Sequence, residues 1–505
     1  MNSNDLPLIS EYFRDKEIFV TGGTGLVGKA VIEKILYSCP DVKKIYLLLR
    51  SKRGVSVSDR LAQLKSSEIF SRIRQKDENL LKKMVPLEGD SMSLRLGLSE
   101  YDLKRLENVS VIIHSAANVR FDNPLHKAIL MNTRSARELC LIAENLKNLE
   151  VLAHISTTYC NPKNSVLEEK VYPPIADWRE AIKHAEIIDP DVLDILAPKY
   201  TDFQPNTYTF SKNLSEQIMN EFSEKLPIFI FRPSIIAPSV KEPFLGWVDN
   251  FNGLPGMLVS GGTGLVRISH SSPKIRSNFQ PLDVVTRSLL VAIWKRGCSP
   301  SLDVAVYNCA CNQAKELSGH EVSELYVQTF PKVPFDQMVW LPNGRITSSY
   351  YVYKIYLLLY LIPGLIVDTL LKAFKKKPMA LDVMRKFHFA STSLSYFIFH
   401  DWHFVNDKFF DLMNDIKPDD MEDFSFDFYD NLSLLDFVYA SIMGSRRYLL
   451  NQPDKNLPRA RRNYKRFWYM DLILKMIFWI GVLYYVITRY DLLSFSGTSF
   501  SEKFK

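Results

Sequence analysis

Short apolar runs alternate with segments of helical periodicity from the N-terminus to about residue 310. The runs read EIFV, KIYLLL, MVPLE, VSVIIH, VLAHIS, PIFIFR and DVAVYN. Strands that are apolar throughout are buried on both faces of a sheet, and parallel neighbours need the helical crossovers that the intervening segments supply. The pattern therefore predicts an α/β fold with a doubly wound parallel sheet.

The composition changes after about residue 345. An apolar, aromatic segment at 355–371 comes first, a helical-looking region extends to about residue 452, and QPDKNLPRARR leads into an apolar C-terminal stretch. We predict three parts from these changes. They are a doubly wound domain with insertions at 1–345, a mainly helical domain at 346–455, and a basic joint with a C-terminal helix at 456–505.

A glycine-rich turn follows the first apolar run. It reads TGGTGLVG at 21–28, and KAVIEKILYS continues with helical periodicity. Glycines let the backbone approach a pyrophosphate closely, and the N-terminus of the following helix attracts its charge. We predict a dinucleotide site here, with a turn that binds nothing as the alternative. Its predicted contacts are Thr21, Gly22, Thr24, Gly25, Leu26, Gly28 and, in the HSAA run, Ala116.

A nearly identical string, GGTGLVR, occupies residues 261–267. Arg267 replaces the third glycine there, and no amphipathic helical segment follows. We interpret this copy as an ordinary loop, because a nucleotide turn needs both the preceding strand and the following helix.

The second apolar run ends at Arg50, where folds that prefer NAD carry an acid for the ribose hydroxyls. Arg50, Lys52 and Arg53 suit the 2′-phosphate of NADPH instead, because guanidinium and ammonium groups pair with phosphate. We therefore predict NADPH as the cofactor, with a solvated basic turn as the alternative for Lys52 and Arg53. Asp90 closes the third run and is predicted either to bind the adenine amino group or to form a turn after Gly89.

The motif YxxxK occurs four times, beginning at Tyr12, Tyr159, Tyr208 and Tyr350. Tyr12 precedes the glycine turn, and Tyr350 borders the apolar segment. Pro162 argues against a continuous helix after Tyr159. Tyr208 alone begins a segment with clear helical periodicity, PNTYTFSKNLSEQIMNEF, and is our candidate.

Tyr208 and Lys212 are expected on one face of this helix because their spacing is i, i+4, with Asn206 or Thr207 as N-cap. A phenol near its ordinary pKa of about 10 is a reluctant acid or base at neutral pH, and a nearby ammonium favours the phenolate. We predict that Lys212 supplies this charge and also holds the nicotinamide ribose.

Hydroxyl groups follow the fifth apolar run about fifty residues before Tyr208. Thr157 is our first candidate and Ser156 our second for steadying a substrate carbonyl oxygen. Ordinary strand-end polarity is the alternative interpretation.

Charge and cysteine content narrow the function classes. The net charge of +7 is modest for 505 residues, and part of it is concentrated at 459–466. This distribution suits an anionic membrane surface better than nucleic acid, so we predict no nucleic-acid partner. The six cysteines show no CxxC pair, which predicts neither a zinc site nor a disulfide framework. The first sixteen residues lack a signal-peptide run, so we expect the catalytic part in the cytosol.

Two apolar segments are candidates for membrane contact. Residues 355–371 are short and interrupted by Pro363-Gly364 and Asp368, so we predict an embedded hairpin or a lipid-entry surface, with a buried core segment as the alternative. Residues 472–488 are continuous except for Lys475 and follow the basic cluster. They predict a single-pass C-terminal anchor with the catalytic part facing the cytosol, or else an amphipathic helix on the membrane surface.

Seven motifs together resemble the extended short-chain dehydrogenases and, more closely, the alcohol-forming fatty acyl-CoA reductases with their male-sterility type C-terminal domain. The motifs are TGGTGLVG at 21–28, HSAA at 114–117, ISTTY at 155–159, YTFSK at 208–212, FRPS at 231–234, GWVDNFNG at 246–253 and SNFQPLDVV at 277–285. The resemblance covers nearly the whole chain and is more specific before residue 310 than after residue 345.

The resemblance implies reduction of long-chain fatty acyl-CoA to a primary alcohol, with two NADPH and release of CoA after the first hydride transfer. It implies Tyr208, Lys212 and Thr157 or Ser156 in catalysis, at a membrane of the endoplasmic reticulum or peroxisome. The alternatives are a membrane-bound dehydrogenase acting on a sterol or sugar nucleotide, an aldehyde-forming acyl-CoA reductase, and a catalytically idle lipid-binding relative. Oligomerisation is left open.

The run HDWHF at 400–404 departs from the family, which usually carries an amide and an acid there. His400, Asp401 and His403 have no third ligand cluster nearby in the sequence, so we predict no metal. Buried or interfacial histidines are the expectation, and the departure leaves the chain-length preference open.

Overall fold

The structure, a computed structural model, describes residues 6–52, 54–342 and 344–489. Arg53, from the predicted basic cluster, and residues 490–505, the end of the predicted C-terminal part, lie outside the described residues.

A parallel sheet of seven strands forms the centre of the described chain. Its strands are β1 (Glu17–Thr21), β2 (Lys44–Leu49), β3 (Met84–Glu88), β4 (Val111–His114), β5 (Val151–Ile155), β6 (Ile228–Pro233) and β7 (Ala305–Cys309). Their order is β7-β6-β5-β4-β1-β2-β3, and every neighbouring pair is parallel. The prediction of a doubly wound parallel sheet is confirmed, and each of the seven apolar runs contains one strand.

The helices that matter below cover both faces of the sheet and extend into the C-terminal region. They are α1 (Leu26–Ser38), α2 (Val57–Ser66), α3 (Ser135–Ala143), α4 (Trp178–Ile187), α5 (Pro190–Tyr200), α6 (Thr207–Phe222), α7 (Leu254–Gly262), α8 (Leu282–Cys298), α9 (Gly319–Thr329), α10 (Tyr350–Ala373), α11 (Ala380–Ser393), α12 (Ser395–Phe399), α13 (Leu434–Gly444) and α14 (Leu457–Arg489).

Successive residues of each central strand enter two different cores. In β1, Ile18 and Val20 pack in the core that α1 and α8 cover, whereas Phe19 packs in the core of α3 and α6. This burial on both faces explains why the strands are apolar throughout. The strand order reverses between β1 and β4, and the crevice at their carboxyl ends is where such folds bind ligands.

The C-terminal region shares a core with the sheet. Phe409, Phe424 and Phe437 belong to the same hydrophobic cluster as the β1 side chains. The strand His403–Phe404 pairs in parallel with Val166–Leu167, which lies between β5 and α4. The region is mainly helical, as predicted, and it packs directly against the dinucleotide-binding part.

The apolar segment at 355–371 forms one continuous helix, α10, rather than a segment divided at Pro363-Gly364. Gly364 packs against the next helix, where an added Cβ would lie 3.0 Å from the Met384 sulfur, so the small residue permits close helix packing. Most of α10 is exposed, with only Tyr353, Gly364 and Asp368 buried. The alternative of a buried core segment is therefore wrong.

The helix that contains the C-terminal apolar stretch begins earlier than the sequence suggested. Helix α14 begins at Leu457, so the basic residues at 459–466 form its first turns instead of preceding it. Pro458 lies in the first turn, where the missing N–H would have no helical partner. By length and composition, α10 and α14 are each apolar enough to cross a membrane.

Candidate active site

The glycine turn joins β1 to α1 at the carboxyl edge of the sheet. Gly22 has a φ of 75°, and an added Cβ there would lie 2.6 Å from the backbone nitrogen of Ala116. A Cβ on Gly28 would lie 2.3 Å from the Gly22 carbonyl oxygen. Glycine is therefore required where the turn meets β4 and where α1 meets the turn. Thr24 and Gly25 are exposed at the mouth of this cradle, beside Leu26 at the helix start, and the cradle fits a pyrophosphate.

Thr21 lies beneath the turn. It is fully buried, and its hydroxyl contacts Nδ1 of His114 at 2.7 Å and accepts a hydrogen bond from the backbone nitrogen of Ala116 at 3.3 Å. The His114 ring stacks on His154, with 5.3 Å between the ring centroids. Burial, with the nearby charge of Lys212, lowers the pKa of His114 to about 3, so the ring is neutral at physiological pH. Thr21 thus ties the ends of β1 and β4 together.

Arg50 and Asp90 follow the ends of β2 and β3 and contact each other. Nη1 of Arg50 donates to Oδ2 of Asp90 at 3.1 Å, and both side chains are partly exposed. Asp90 also accepts a hydrogen bond from the backbone nitrogen of Met92 at 3.0 Å, which is the predicted turn. Arg60 of α2 donates to the Arg50 carbonyl oxygen and brings a second guanidinium to this edge. The sequence analysis did not single out Arg60, because its distance from Arg50 along the chain carries no signal.

Helix α6 places Tyr208 in its first turn. The Asn206 side chain is the N-cap and accepts from the backbone nitrogen of Thr209 at 2.8 Å. Lys212, one turn later, is 2% exposed, and its Nζ donates to the Ile155 carbonyl oxygen at the end of β5 at 2.6 Å. The helix therefore presents the phenol and the ammonium toward the same carboxyl edge of the sheet.

Burial shifts the pKa values of both groups. It raises the pKa of the Tyr208 phenol well above its ordinary value, while a hydrogen bond with the Thr157 hydroxyl acts in the opposite direction. Burial lowers the pKa of Lys212 to about 8, although Glu216 and Cys160 act to raise it. At neutral pH the phenol therefore keeps its proton and the lysine keeps its charge.

The two candidate hydroxyls have different surroundings. The Thr157 hydroxyl acts to lower the pKa of the Tyr208 phenol, and it accepts from the backbone nitrogen of Tyr159 at 3.3 Å. The Ser156 hydroxyl is buried without a hydrogen-bond partner among the described residues. Its backbone nitrogen extends the sheet by donating to the Phe231 carbonyl oxygen at 2.7 Å. Of the two hydroxyls, only that of Thr157 influences the pKa of the Tyr208 phenol.

A buried ion pair that the sequence analysis did not identify lies behind these groups. Arg232, in the FRPS run, donates from Nε and Nη2 to the Glu216 carboxylate at 2.9 and 2.6 Å, and both side chains are almost completely buried. Burial acts to raise the pKa of Glu216, but the Arg232 guanidinium outweighs it and holds that pKa below its usual value. Glu216 follows Lys212 by one helical turn. This i, i+4 spacing was the sequence signal that could have identified Glu216 as a neighbour of Lys212.

A second missed residue is Asn132, which lies in a π-helical segment at Ile129–Arg134. Its amide nitrogen donates to the Ser211 hydroxyl at 2.9 Å, and its oxygen accepts from the backbone nitrogen of Asn118 at 2.8 Å. Asn132 therefore joins the loop after β4 to α6. Periodicity in the sequence does not distinguish a π-helical turn from an α-helical one.

Aromatic rings border Tyr208. Phe121 lies between Tyr208 and Phe397 of α12, with centroid distances of 5.7 and 5.6 Å. Phe397 in turn contacts Tyr159, which packs edge-on against Trp402 at 5.4 Å. The C-terminal region thus supplies part of an apolar wall next to the phenol.

The other YxxxK copies and the HDWHF run have different surroundings. Tyr159 is enclosed by aromatic rings, and Lys163 forms an ion pair with Asp202. Tyr12 is buried against α8, and Tyr350 begins α10. His400 stacks on Tyr396, and His403 contacts Gln313.

The second glycine string at 261–267 spans the end of α7 and a turn. A Cβ on Gly264 would lie 2.3 Å from the Trp340 carbonyl oxygen, and a strand, Ile268–His270, follows.

Comparison with known proteins identifies the family. Two profiles described as Male sterility protein match residues 20–289 and 359–452. Fatty acyl-CoA reductase 1 of Mus musculus is 34% identical over 462 residues, which cover 91% of this chain and 89% of that protein. The corresponding protein of Homo sapiens is 32% identical over the same shares.

Solved structures share the fold at low sequence identity. The terminal R domain from a myxalamid biosynthetic pathway has a TM-score of 0.57 and 17% identity over 85% of this chain and 90% of that domain. The reductase domain of a nonribosomal peptide synthetase from Mycobacterium tuberculosis has a TM-score of 0.56 and 16% identity, and the match covers 89% of this chain and 95% of that domain. The extent of the sequence similarity shows that this chain is a nicotinamide-dependent oxidoreductase of the fatty acyl-CoA reductase family.

Proposed function

We propose that this protein reduces long-chain fatty acyl-CoA to the primary fatty alcohol, using two NADPH and releasing CoA. The observation that carries the proposal is the position of the Tyr208 phenol. It lies beside the Thr157 hydroxyl, one helical turn from the buried Lys212, and next to an aromatic wall. This combination provides a proton donor, a charge and an apolar surface at one edge of the sheet.

NADPH would be held along the same edge and supplies the hydride when bound. The cradle around Gly22 and Gly28 takes the pyrophosphate, and Lys212 takes a ribose hydroxyl. Arg50, with Arg60 beside it, is available for the 2′-phosphate, which would compete with Asp90 for the guanidinium. This competition favours the nucleotide that carries the extra phosphate, since a doubly charged group attracts the guanidinium more strongly than one carboxylate.

The residues of the chain move one proton in each reduction. Tyr208 gives its proton to the carbonyl oxygen as negative charge develops there, and the Thr157 hydroxyl donates a hydrogen bond to the same oxygen. The Lys212 ammonium stabilises the phenolate that remains. In the first round a hydride adds to the thioester carbon, and the proton on the oxygen then passes by way of Tyr208 to the sulfur as the carbon–sulfur bond breaks. CoA leaves as the thiol, an aldehyde remains, and Tyr208 regains one proton from water. In the second round the aldehyde gains a hydride and a proton and becomes the alcohol.

The apolar wall would retain the aldehyde between the two reductions. Phe121 and Phe397 contact the phenol side of the site and would hold the aldehyde while the nucleotide is exchanged. An exposed site would release the aldehyde before its second reduction.

The apolar part of α14 would anchor the protein in a bilayer with the catalytic part in the cytosol. The basic residues at 459–466 lie on the catalytic side of this part, which agrees with the positive-inside bias. The endoplasmic reticulum or the peroxisome is the proposed membrane, and wax or ether lipids are the classes that would consume the alcohol. The membrane lipid is thus a proposed partner.

Product analysis tests the proposal. The purified full-length protein is incubated with mixed acyl-CoAs and NADPH, and products are identified by mass spectrometry while free thiol and NADPH are measured. We expect fatty alcohol and two NADPH consumed for each CoA released. Aldehyde with one NADPH for each CoA would replace the proposal with the aldehyde-forming reaction. Nucleotide binding without turnover would identify a catalytically idle relative.

A further inference from the structure

Helix α10 carries an apolar face that no described part of the protein covers. Nine of its apolar residues are each more than half exposed, namely Tyr350, Tyr351, Ile355, Leu358, Leu359, Ile362, Leu365, Ile366 and Leu370. Tyr351, Ile355, Leu358, Ile362 and Leu365 follow one another at intervals of three or four residues, and Ile366 lies four residues after Ile362. These six therefore form a single stripe along the helix. An exposed apolar stripe of this length marks a surface that water does not cover in the functional state.

The opposite side of α10 is fixed to the protein. The Tyr353 hydroxyl contacts Nδ1 of His388 at 2.8 Å, and Gly364 packs against Met384 of α11. Asp368 accepts three hydrogen bonds from the backbone of residues 379–381 at the start of α11, at 2.8, 2.8 and 3.1 Å. With one side held in this way, α10 presents only its free stripe to a bilayer.

Charge beside the stripe indicates what covers it. Lys372 and the run at 375–377 follow the apolar residues, and all four lysines are exposed. A cluster of lysines at the end of an apolar stripe matches anionic phospholipid headgroups above an acyl region.

The apolar stripe and the proposed anchor lie near a common loop. The guanidinium of Arg267 lies 5.7 Å from the ring centroid of Tyr360 in α10. Trp340, which packs on the neighbouring Gly264, donates from Nε1 to Oδ1 of Asp471, where the apolar part of α14 begins. One bilayer can therefore contact both helices.

Two groups of contacting rings, each of which includes a residue of α12, lie between α10 and the candidate active site. Tyr353 stacks on His270 at 5.4 Å, and His270 contacts Phe399 of α12 at 4.8 Å. Two residues earlier in α12, Phe397 contacts Phe121, which borders Tyr208. We infer that α10 lies half-immersed in an anionic phospholipid bilayer and that the fatty acyl chain passes from this bilayer along the aromatic rings to Tyr208. The second part of this inference rests on the proposed function.

Cross-linking to lipid tests the immersion without depending on catalysis. A photoreactive phenylalanine analogue replaces Ile355 or Ile362 in the full-length protein, reconstituted in vesicles of phosphatidylcholine and phosphatidylserine. Leu302, 58% exposed like Ile355, is the matched control because it precedes β7 at the amino edge of the sheet. We expect lipid adducts at 355 and 362 but none at 302. Adducts to protein alone, or equal lipid adducts at all three positions, would overturn the immersion.

Kinetics of a charged variant test the route. Ile355→Glu combined with Ile362→Glu should lower kcat/KM for a long-chain acyl-CoA carried by the vesicles by roughly tenfold. The rate with a short, water-soluble acyl-CoA should stay within a factor of about two, which also shows that the variant is folded. Leu302→Glu should change neither rate. An equal loss for both substrates, or no loss for either, would contradict entry from the bilayer. Failure of the proposed function would instead appear as no acyl-CoA turnover by the unmodified protein.

Discussion

Tyr208 owes its candidate role to its surroundings, since three other tyrosines in the chain begin the same motif. Burial raises the pKa of Tyr12, Tyr159 and Tyr208 alike, so the pKa alone does not separate these phenols. Only the phenol of Tyr208 combines a hydroxyl partner in Thr157 with a lysine that is held at the end of β5. At the scale of single residues, the chemistry is therefore decided by neighbours that are distant in sequence.

Tyr208→Phe should abolish alcohol formation and leave NADPH binding intact, because it removes one acidic oxygen and almost no packing volume. General acid catalysis contributes on the order of a hundredfold or more, so turnover should fall at least that far. Tyr12→Phe is the control and should keep its activity. Product formation and nucleotide affinity are measured on the same preparations. Turnover within about tenfold of the unmodified protein would refute the role of Tyr208.

Reduction should slow as the pH rises through about 8, because burial lowers the pKa of Lys212 to that value and the ammonium is lost above it. Below about pH 8 the charge that stabilises the phenolate is present, so kcat/KM should be level there. Lys212→Arg keeps a charge at higher pH and should move the alkaline limb upward. A free aldehyde is the substrate, since thioesters hydrolyse in alkali. An unmoved limb in an active Lys212→Arg variant would assign the titration to another group.

Arg50→Ala should weaken NADPH binding far more than NADH binding, because only NADPH carries the 2′-phosphate. Asp90→Ala provides the matched comparison, since it frees the Arg50 guanidinium from its carboxylate partner. That variant should bind NADPH at least as tightly as the unmodified protein. Dissociation constants for both nucleotides are measured by titration calorimetry. Equal weakening of both nucleotides in Arg50→Ala would show that Arg50 serves the fold.

Helix α10 shows how an element can depart from local sequence rules. Proline inside a helix removes one hydrogen bond, and an acid in an apolar segment is costly. The neighbouring helix compensates for both, since α11 packs on Gly364 and its first backbone N–H groups bind Asp368. Asp368, which the sequence analysis treated as an interruption of the apolar segment, therefore caps the N-terminus of α11.

Asp368→Ala should loosen the start of α11. It removes three accepted hydrogen bonds, and loss of a helix cap costs about 1 kcal/mol. Hydrogen exchange at the amides of Met379, Ala380 and Leu381 should speed up several-fold. Asp382→Ala is the control, because Asp382 pairs only with Arg385 and Lys386 on the exposed surface of the same helix. Unchanged exchange in Asp368→Ala would contradict the capping role.

At the scale of the whole molecule, the proposed membrane attachment would be divided between two helices with different expected strengths. The stripe on α10 reaches the bilayer from one side only, whereas none of the apolar window of α14 is buried in the protein. A spanning helix binds essentially irreversibly, and an immersed stripe binds reversibly. Stable attachment to the membrane should therefore depend on α14.

Truncation before Asp471 should release the protein from membranes on washing with alkaline carbonate, whereas the full-length chain should resist extraction. Fractionation of both forms by centrifugation measures the difference. The truncated form should retain NADPH binding, because β1, α1 and the residues after β4 form the glycine cradle. Extraction of the full-length chain by carbonate would exclude a spanning helix.

Strand content and the nucleotide turn were predictable from the sequence because both depend on local signals. Seven apolar runs indicate buried parallel strands, and the spacing of Gly22, Gly25 and Gly28 after the first run indicates a cradle that only glycine can form. The choice of Tyr208 over its rivals also followed from local periodicity, which Pro162 interrupts after Tyr159.

The tertiary structure alone decided which distant groups meet. The Glu216–Arg232 pair, the two ring groups that include residues of α12 and the capping of α11 by Asp368 join residues that no periodicity connects. It also decided that α10 is continuous and exposed, because helix propensity at Pro363 is overridden by packing against α11. Local sequence thus determined the strands, the glycine turn and helix α6, which carries the candidate Tyr208. Long-range packing determined the surroundings that tune them, because contact energies between distant segments leave no regular pattern along the chain.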